Sequence, residues 1–161
     1  MKIIEYQDKY LDMVKDLLVE LEEHILSIDK DKLDQLHPLY RDKMAILDLE
    51  EVNKNSGKCY LAVEDNTVLG VIMGIIIPYE EYDYLDYTCP KSGEVTELVV
   101  AKTARGKGIG NKLMNKMEEF FKSVNCEYVF IDVFAYNDGA INFYNNLGYH
   151  PRMYRDVKKL K

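Results

Sequence analysis

Apolar residues recur at helical spacing in the first third of the chain. Residues 1–6 predict a short strand, and the helix predicted to follow it begins near Asp8. Its apolar positions repeat at intervals of three and four, so one side of this helix faces a core. His37 and Pro38 interrupt the pattern before a second helix, predicted at 42–55. The stripe of the first helix consists of Leu11, Val14, Leu18, Leu21 and Ile25.

The middle of the chain predicts a β-hairpin. Two apolar runs rich in β-branched residues, 59–63 and 68–77, are separated by four polar residues. The acidic, tyrosine-rich stretch 79–87 has little periodicity. This stretch is predicted to be a loop or a short helix. Two roles are open: a lip that attracts a cationic substrate, or a solvated loop or dimer contact.

Strands and helices alternate in the remainder of the chain. A strand at 94–100 leads into a glycine-rich turn and a helix, and another strand is predicted at 128–133. The next helix is capped near Asn137 and ends at Gly148. A last strand is predicted at 149–158. Two leading helices followed by this alternation predict an α/β fold with a mixed sheet of six or seven strands.

Composition places the chain among compact globular proteins. Its 161 residues are 47% apolar and 30% charged, which predicts one domain over 1–161 with a real core. A formal charge of −7 argues against nucleic-acid binding and mildly favours a cationic substrate. Acidic residues come too early for a signal peptide, and no apolar run approaches the length of a membrane span. We therefore expect a cytoplasmic protein without a membrane partner.

Cysteine and histidine usage predicts neither disulfides nor a metal. The cysteines are odd in number and lack a C-x-x-C pair, and the histidines are scattered singly. These residues are Cys59, Cys89, Cys126, His24, His37 and His150.

The glycine-rich turn is the clearest candidate for binding chemistry. Gly106, Gly108 and Gly110 alternate between a strand and a helix, so the backbone can approach a ligand closely. The start of the helix adds unpaired N–H groups and a positive dipole end, which suit a pyrophosphate, and Arg105 and Lys107 add charge. The spacing fits neither the P-loop nor the dinucleotide-binding fingerprint. A turn chosen only for tight packing is the alternative.

The residues of this turn, Arg105-Gly106-Lys107-Gly108-Ile109-Gly110, match the Q/R-x-x-G-x-G/A signature of the GNAT family of N-acetyltransferases. The segment 97–101 before it resembles the splayed central strand of that family. The segment 130–149 resembles the second motif of the family. The resemblance covers roughly 94–149, with both motifs in the expected order and spacing.

The resemblance implies a single-domain GNAT-like fold, a mixed sheet flanked by helices and splayed at an acetyl-CoA site. It implies that the central strand pairs with the pantetheine arm, that the Asn137 side chain contacts this arm, and that Tyr144 lies near the thioester sulfur. The strand residues concerned are Leu98, Val99 and Val100. The pyrophosphate would be held by Arg105, Gly106, Lys107, Gly108, Ile109, Gly110 and Asn111.

Acetyl transfer to an amine needs an oxyanion donor, an acid for the leaving sulfur and an acceptor for the amine proton. By analogy with the family, the backbone N–H of Val99 or Val100 is the oxyanion donor. Tyr144 can protonate the thiolate, because phenol and thiol pKa values lie near ~10 and ~8.5. Its place on the apolar stripe of its helix also fits a core tyrosine.

Glu94 and Glu97 are the candidate general bases on the central strand. Because strand residues alternate faces, only one of them can point at the substrate unless a bulge intervenes. Glu94 is favoured, since relatives place the base a similar distance before the glycine turn. The alternative is that both glutamates are ordinary solvated strand acids without a catalytic role.

The acceptor is left open by the sequence, because the motifs do not cover the N-terminal helices that build the acceptor pocket in this family. A small-molecule amine and a protein amine both fit. Family members often dimerise, so a homodimer is open as well. Two alternatives to N-acetylation are an acetyl-CoA-binding regulatory module without turnover and an acyltransferase with a different acyl donor or acceptor.

Overall fold

The computed structural model describes residues 1–160 of the chain, and within them five strands form one mixed sheet. The strands are β1 (Lys2–Glu5), β2 (Lys58–Glu64), β3 (Thr67–Ile76), β4 (Ser92–Val100) and β5 (Tyr128–Ile131). The helices are α1 (Leu11–Ile28), α2 (Tyr40–Lys54), the one-turn α3 (Asp83–Asp86), α4 (Ile109–Ser123) and α5 (Asp138–Asn146). Short 3₁₀ turns at Asp8–Tyr10 and Lys102–Ala104 precede α1 and α4.

The strands lie in chain order across the sheet. β1 to β4 run antiparallel to their neighbours, and β5 lies parallel to β4 at the edge. A parallel neighbour requires a crossover, which α4 supplies. The mixed sheet with flanking helices is as predicted from the sequence.

Helices cover both faces of the sheet, because β2 and β3 alternate side chains between two cores. On one face, α1 and α2 bury residues such as Leu18 and Ala45 against Met73. On the other face, α4 buries Met117 and Phe121 against a second set of strand residues. The sheet is therefore the middle layer of three.

Thr96 forms a bulge in β4. Glu97 pairs with Met73, whereas Val95 pairs with the next residue of β3, so Thr96 has no partner in the register. Residues opposite each other across a ladder point to the same face. Glu94 lies opposite Ile75 and Glu97 opposite Met73, and both partners belong to the core beneath α1 and α2. The bulge therefore turns both glutamates to the same face.

The predicted last strand at 149–158 is wrong. Residues 149–160 have no regular secondary structure, and large side chains such as Met153 and Val157 are exposed. An alternating sequence can favour an extended backbone, but a strand also needs a hydrogen-bonded neighbour, which a single-chain pattern does not reveal. The sheet of residues 1–160 consequently has five strands instead of six or seven.

Gly93 lies where the sheet packs tightly against α4. A Cβ at this position would lie 2.5 Å from Cδ1 and Cε1 of Phe121, whose ring is fully buried. We expect Gly93→Ala to lower the free energy of unfolding by about 1–3 kcal/mol through overpacking. Gly139→Ala is the control, because its Cβ has only a 3.7 Å contact and a helical alanine is favoured. Urea unfolding measures both, and equal stabilities of the two variants would contradict this packing.

Candidate active site

β4 and β5 separate halfway along β4. Their parallel pairing runs from Ser92 opposite Tyr128 to Val95 opposite Ile131, where β5 ends. β4 continues to Val100 along β3 alone. The second half of β4 therefore has a free backbone edge where a bound extended chain could take the place of a strand.

The register determines which amides face this opening. The N–H of Ala101 donates to the carbonyl of Leu69 at 2.9 Å, one residue beyond the β3–β4 register. Hydrogen-bonded and non-hydrogen-bonded pairs alternate in an antiparallel ladder. The backbone groups of Val99 consequently point toward β3, and those of Leu98 and Val100 point toward the open side. Of the two candidate oxyanion donors, the register favours Val100.

The glycine turn leads from the end of β4 into α4. Gly106 and Gly108 have φ values of 76° and 72°, and a Cβ on either would meet no atom within 4 Å. The left-handed backbone thus leaves open space where side chains would otherwise stand. The first amides of α4, from Ile109 to Asn111, have no acceptor within the helix. Positive dipole, free amides and empty volume together fit a pyrophosphate.

Arg105 ties the turn to the rest of the fold. Its Nε donates to the carbonyl of Val100 at 3.0 Å, and its Nη2 lies 3.1 Å from Oε1 of Glu20 on α1. The same glutamate oxygen accepts the backbone N–H of Lys102 at 2.8 Å. The guanidinium of Arg105 is therefore engaged in anchoring the turn, whereas Lys107 is exposed beside it. Glu20 was not among the residues predicted from the sequence.

α5 lies beside the start of α4. A Cβ on Gly110 would lie 3.2 Å from Cζ of Phe143 and 3.9 Å from Cγ2 of Val100, so these residues are neighbours. Asn137 caps α5, since its Oδ1 accepts the N–H of Ala140 at 3.1 Å. The predicted cap at Asn137 is confirmed.

Tyr144 is a half-buried phenol on α5. Its ring packs edge-on against those of Phe143 and Tyr149. Burial, and after it the carboxylate of Glu97, raise the pKa of Tyr144 to about 12. The phenol is therefore protonated throughout the physiological pH range.

The two candidate bases differ in their surroundings. Burial, reinforced by the charges of Asp48 and Glu22, raises the pKa of Glu97 to about 8. Burial and then the charge of Asp132 also raise the pKa of Glu94. Of the two glutamates, Glu97 is the one whose charge affects Tyr144.

The sequence of this chain matches the model of the acetyltransferase (GNAT) family over residues 19–149. That match covers most of the chain, including the C-terminal part of α1, the whole of α2 and the glycine turn. The protein belongs to the GNAT family.

Individual relatives agree with this family. An uncharacterized N-acetyltransferase of Methanocaldococcus jannaschii is 32% identical over 94 residues, which span 58% of this chain and 53% of that protein. An N-alpha-acetyltransferase of Sulfurisphaera tokodaii is 28% identical over 144 residues, or 86% of this chain and 77% of that protein. The chain thus matches about half the length of the first relative.

A solved structure shares the whole GNAT fold. A mutant protein from Bacillus halodurans superimposes with a TM-score of 0.84 at 18% identity, and the alignment covers 100% of both chains. At this identity the likeness shows the fold alone. It extends to the two N-terminal helices, which the sequence motifs do not cover.

The structure adds three polar side chains that the motif analysis missed. Tyr40 and Asp48 on α2 and Glu22 on α1 lie on the same face of the sheet as Glu97. Asp48 follows buried Ala45 by three residues, and Glu22 follows buried Leu18 by four, so both carboxylates share the inner sides of their helices. A charged residue on an apolar helical stripe is the signal that could have identified them.

The described residues were also searched for a metal site and for a membrane-spanning helix. In residues 1–160 no group of three His, Cys, Asp or Glu side chains is arranged to hold a metal ion. Over the same residues no helix combines the length and apolarity that crossing a bilayer requires.

Gly108→Ala is expected to weaken acetyl-CoA binding about tenfold or more. Its Cβ would occupy the open space beside the turn that is predicted to bind the pyrophosphate, and alanine in a left-handed conformation is strained by roughly 1–2 kcal/mol. Isothermal titration calorimetry measures the dissociation constant. Gly148→Ala is the matched control, since Gly148 also has a positive φ (91°) with nothing within 4 Å but lies after α5. Equal affinities for the two variants would remove the glycine turn from the proposed cofactor site.

Proposed function

We propose that this protein transfers an acetyl group from acetyl-CoA directly to an amino group. The observation that carries the proposal is the free edge of β4, which has the glycine turn at one end and Glu97 and Tyr144 beside it. Membership of the GNAT family supports acetyl-CoA as the donor. The outward backbone groups of Leu98 support pairing with the pantetheine arm, whereas the carbonyl of Val100 accepts from Arg105 and its outward N–H remains for the oxyanion.

Donor binding divides between backbone and side chains. The amides from Gly106 to Asn111 bind the pyrophosphate, and the side-chain amide of Asn137 contacts the pantetheine arm. Arg105 acts as a positioning residue, since its guanidinium is bonded to Val100 and Glu20. Lys107 is exposed and supplies charge near the phosphates.

In the transfer step, the neutral amine attacks the thioester carbonyl, a C–N bond forms and the C–S bond breaks. The N–H of Val100 stabilises the oxyanion. Glu97 accepts the proton that the ammonium must lose before attack, and Tyr144 donates a proton to the departing thiolate. The second amine proton then returns to the phenolate. The products are an amide and free coenzyme A, and Glu97 then releases the first proton to solvent, so the protons balance and the base is regenerated.

The pKa of Glu97 suits its role as base better than the pKa of Tyr144 suits its role as acid. A base with a pKa of about 8 is suited to work near neutral pH. The pKa of about 12 at Tyr144 keeps its proton in place but makes it a weaker acid than an ordinary phenol. Neutralisation of Glu97 by the incoming proton removes one charge that raises this pKa, so proton uptake at the base assists proton release at the acid.

Release of free thiol from acetyl-CoA, measured across a panel of amines with mass spectrometry of the products, tests the function. The panel includes monoamines, diamines and a short peptide with a free N-terminus, because the Sulfurisphaera relative is named an N-alpha-acetyltransferase. An acetylated amine supports the proposal. Binding of acetyl-CoA without any product favours the regulatory module, and product only with a longer acyl-CoA favours a different acyl donor.

A further inference from the structure

The turn that ends α5 places Tyr149 against Tyr144. Gly148 has a φ of 91°, and its N–H donates to the carbonyl of Asn145 at 3.0 Å. The N–H of Tyr149 donates to the carbonyl of Tyr144 at 3.1 Å. These two bonds form a Schellman motif, in which the side chain after the glycine packs back on the last full turn of the helix. The ring centroids of Tyr144 and Tyr149 are accordingly 5.9 Å apart.

The side chain of Tyr149 is also bonded to α4. Its hydroxyl donates to Oε1 of Glu118 at 3.1 Å, and Oε2 of that glutamate lies 3.6 Å from Nζ of Lys122 on the same helix. The side chain of Glu118 is 25% exposed, so its bond to Tyr149 is partly shielded from water. Burial and then the charge of Glu118 raise the pKa of Tyr149, and the phenol therefore keeps its proton at neutral pH.

The hydroxyl of Tyr144 has no hydrogen-bond partner within residues 1–160. Its position therefore depends on how the ring is packed. Two rings contact it, that of Phe143 at a centroid distance of 5.1 Å and that of Tyr149. Phe143 lies beside Gly110 at the start of α4, and Tyr149 is bonded to Glu118 further along this helix. α4 thus holds both aromatic neighbours of Tyr144.

Proton donation to a leaving thiolate requires a phenol within hydrogen-bond reach of the sulfur. Catalytic groups have to be held within ~0.5 Å of the productive geometry, and a displacement of about 1 Å costs on the order of 100-fold in rate. The Schellman motif fixes the backbone at the end of α5. The bond between the Tyr149 hydroxyl and Glu118 fixes the side chain against which Tyr144 packs.

We propose that Tyr149 and Glu118 are positioning residues, which hold the ring of Tyr144 where its hydroxyl reaches the sulfur of the leaving thiolate. This inference rests on the proposed function, in which Tyr144 is the acid. Neither Tyr149 nor Glu118 was among the site residues predicted from the sequence.

The test measures kcat with the best amine of the panel and, separately, the dissociation constant of acetyl-CoA. Tyr149→Phe keeps the ring but loses the bond to Glu118, and Glu118→Ala loses the same bond. We expect each variant to lower kcat about tenfold, with the dissociation constant changed by less than about twofold. Glu118→Gln keeps an acceptor oxygen and should retain about half of kcat or more. Glu119→Ala is the matched control, because Glu119 is exposed and pairs with Lys116.

A combined variant separates positioning from a general loss of structure. Tyr149→Phe is added to Tyr144→Phe, which lacks the hydroxyl to be positioned. In this background we expect Tyr149→Phe to change kcat by less than about twofold, because effects that act through one shared group are not additive. An equal loss of kcat with and without the Tyr144 hydroxyl would overturn the inference, since Tyr149 would then only support the fold.

The remaining outcomes distinguish this inference from the function beneath it. Full kcat in Tyr149→Phe, together with a large loss in Tyr144→Phe, overturns the inference and leaves Tyr144 as the acid. An equal loss in Glu118→Gln and Glu118→Ala overturns it as well, because the hydrogen bond is then not the cause. Full kcat in Tyr144→Phe, or binding of acetyl-CoA without acetylation of any amine, overturns both proposals. Thermal unfolding checks the fold of each variant, and Tyr149→Phe decides the test if Glu118→Ala does not fold.

Discussion

Tyr144→Phe is expected to lower kcat for acetyl transfer about 100-fold or more, the scale of general-acid catalysis. The substitution removes only the hydroxyl, so the packing of the ring against Phe143 and Tyr149 is kept. The departing thiolate then lacks its proton donor. Steady-state thiol release with saturating acceptor measures kcat, and the dissociation constant of acetyl-CoA should change far less.

Tyr128→Phe is the matched control for this variant, since Tyr128 is exposed on the edge strand β5. Its kcat should equal that of the unaltered protein. If kcat of Tyr144→Phe stays within about twofold of the unaltered protein, Tyr144 is a core tyrosine and another group protonates the sulfur.

Glu97→Gln is expected to lower kcat/KM by about 100-fold near pH 8, because the proton acceptor is lost. In the unaltered protein the rate should rise with pH as Glu97 ionises around its pKa of about 8. The amine titrates equally in both proteins, so the difference between their pH profiles isolates Glu97. Its charged and titratable neighbours are Glu22, Asp48, Tyr40 and Tyr144.

Stability should change in the opposite direction to activity in the same variant. An unfolded glutamate has a pKa near ~4.3, and the folded value is higher, so the unfolded chain releases this proton first as pH rises. The contribution of Glu97 is therefore fully present below about pH 4.3 and is lost as pH approaches about 8. Glu97→Gln should raise Tm by about 3 °C or more at pH 8 and little at pH 4.5.

Glu94→Gln is the companion variant, because its carboxylate lies on the same face but its charge is not coupled to Tyr144. A smaller loss of kcat/KM is expected. A larger loss than in Glu97→Gln would return the role of base to Glu94, and a lower Tm of Glu97→Gln at pH 8 would contradict the burial of an unpaired carboxylate.

The elements with strong local signals were predictable from the sequence. Helical spacing placed α1, α2 and α4. The glycine turn predicted a backbone that could approach phosphate, which the positive φ values and open surroundings of Gly106 and Gly108 support. Asn137 was predicted to cap α5, and its side chain does so. These features depend on interactions between residues within a few positions of each other.

Features that depend on distant partners were not predictable in the same way. Whether 149–158 became a strand depended on a neighbouring edge, and the sequence pattern could not supply that information. Val99 and Val100 were equivalent candidates until the β3–β4 ladder showed that Val100 faces the opening. The register between two strands decides which backbone groups bond to the neighbouring strand, and the sequence of one strand does not reveal that register.

By itself, the sequence determined the GNAT-like glycine turn, the candidate acid Tyr144 and the pair of candidate bases on one strand. Only the tertiary structure decided how these groups face one another. The bulge at Thr96 turns Glu94 and Glu97 to one face, and helix packing brings Glu22 and Asp48 toward Glu97. The physical reason is that burial and charge–charge coupling depend on distances between elements far apart in the chain.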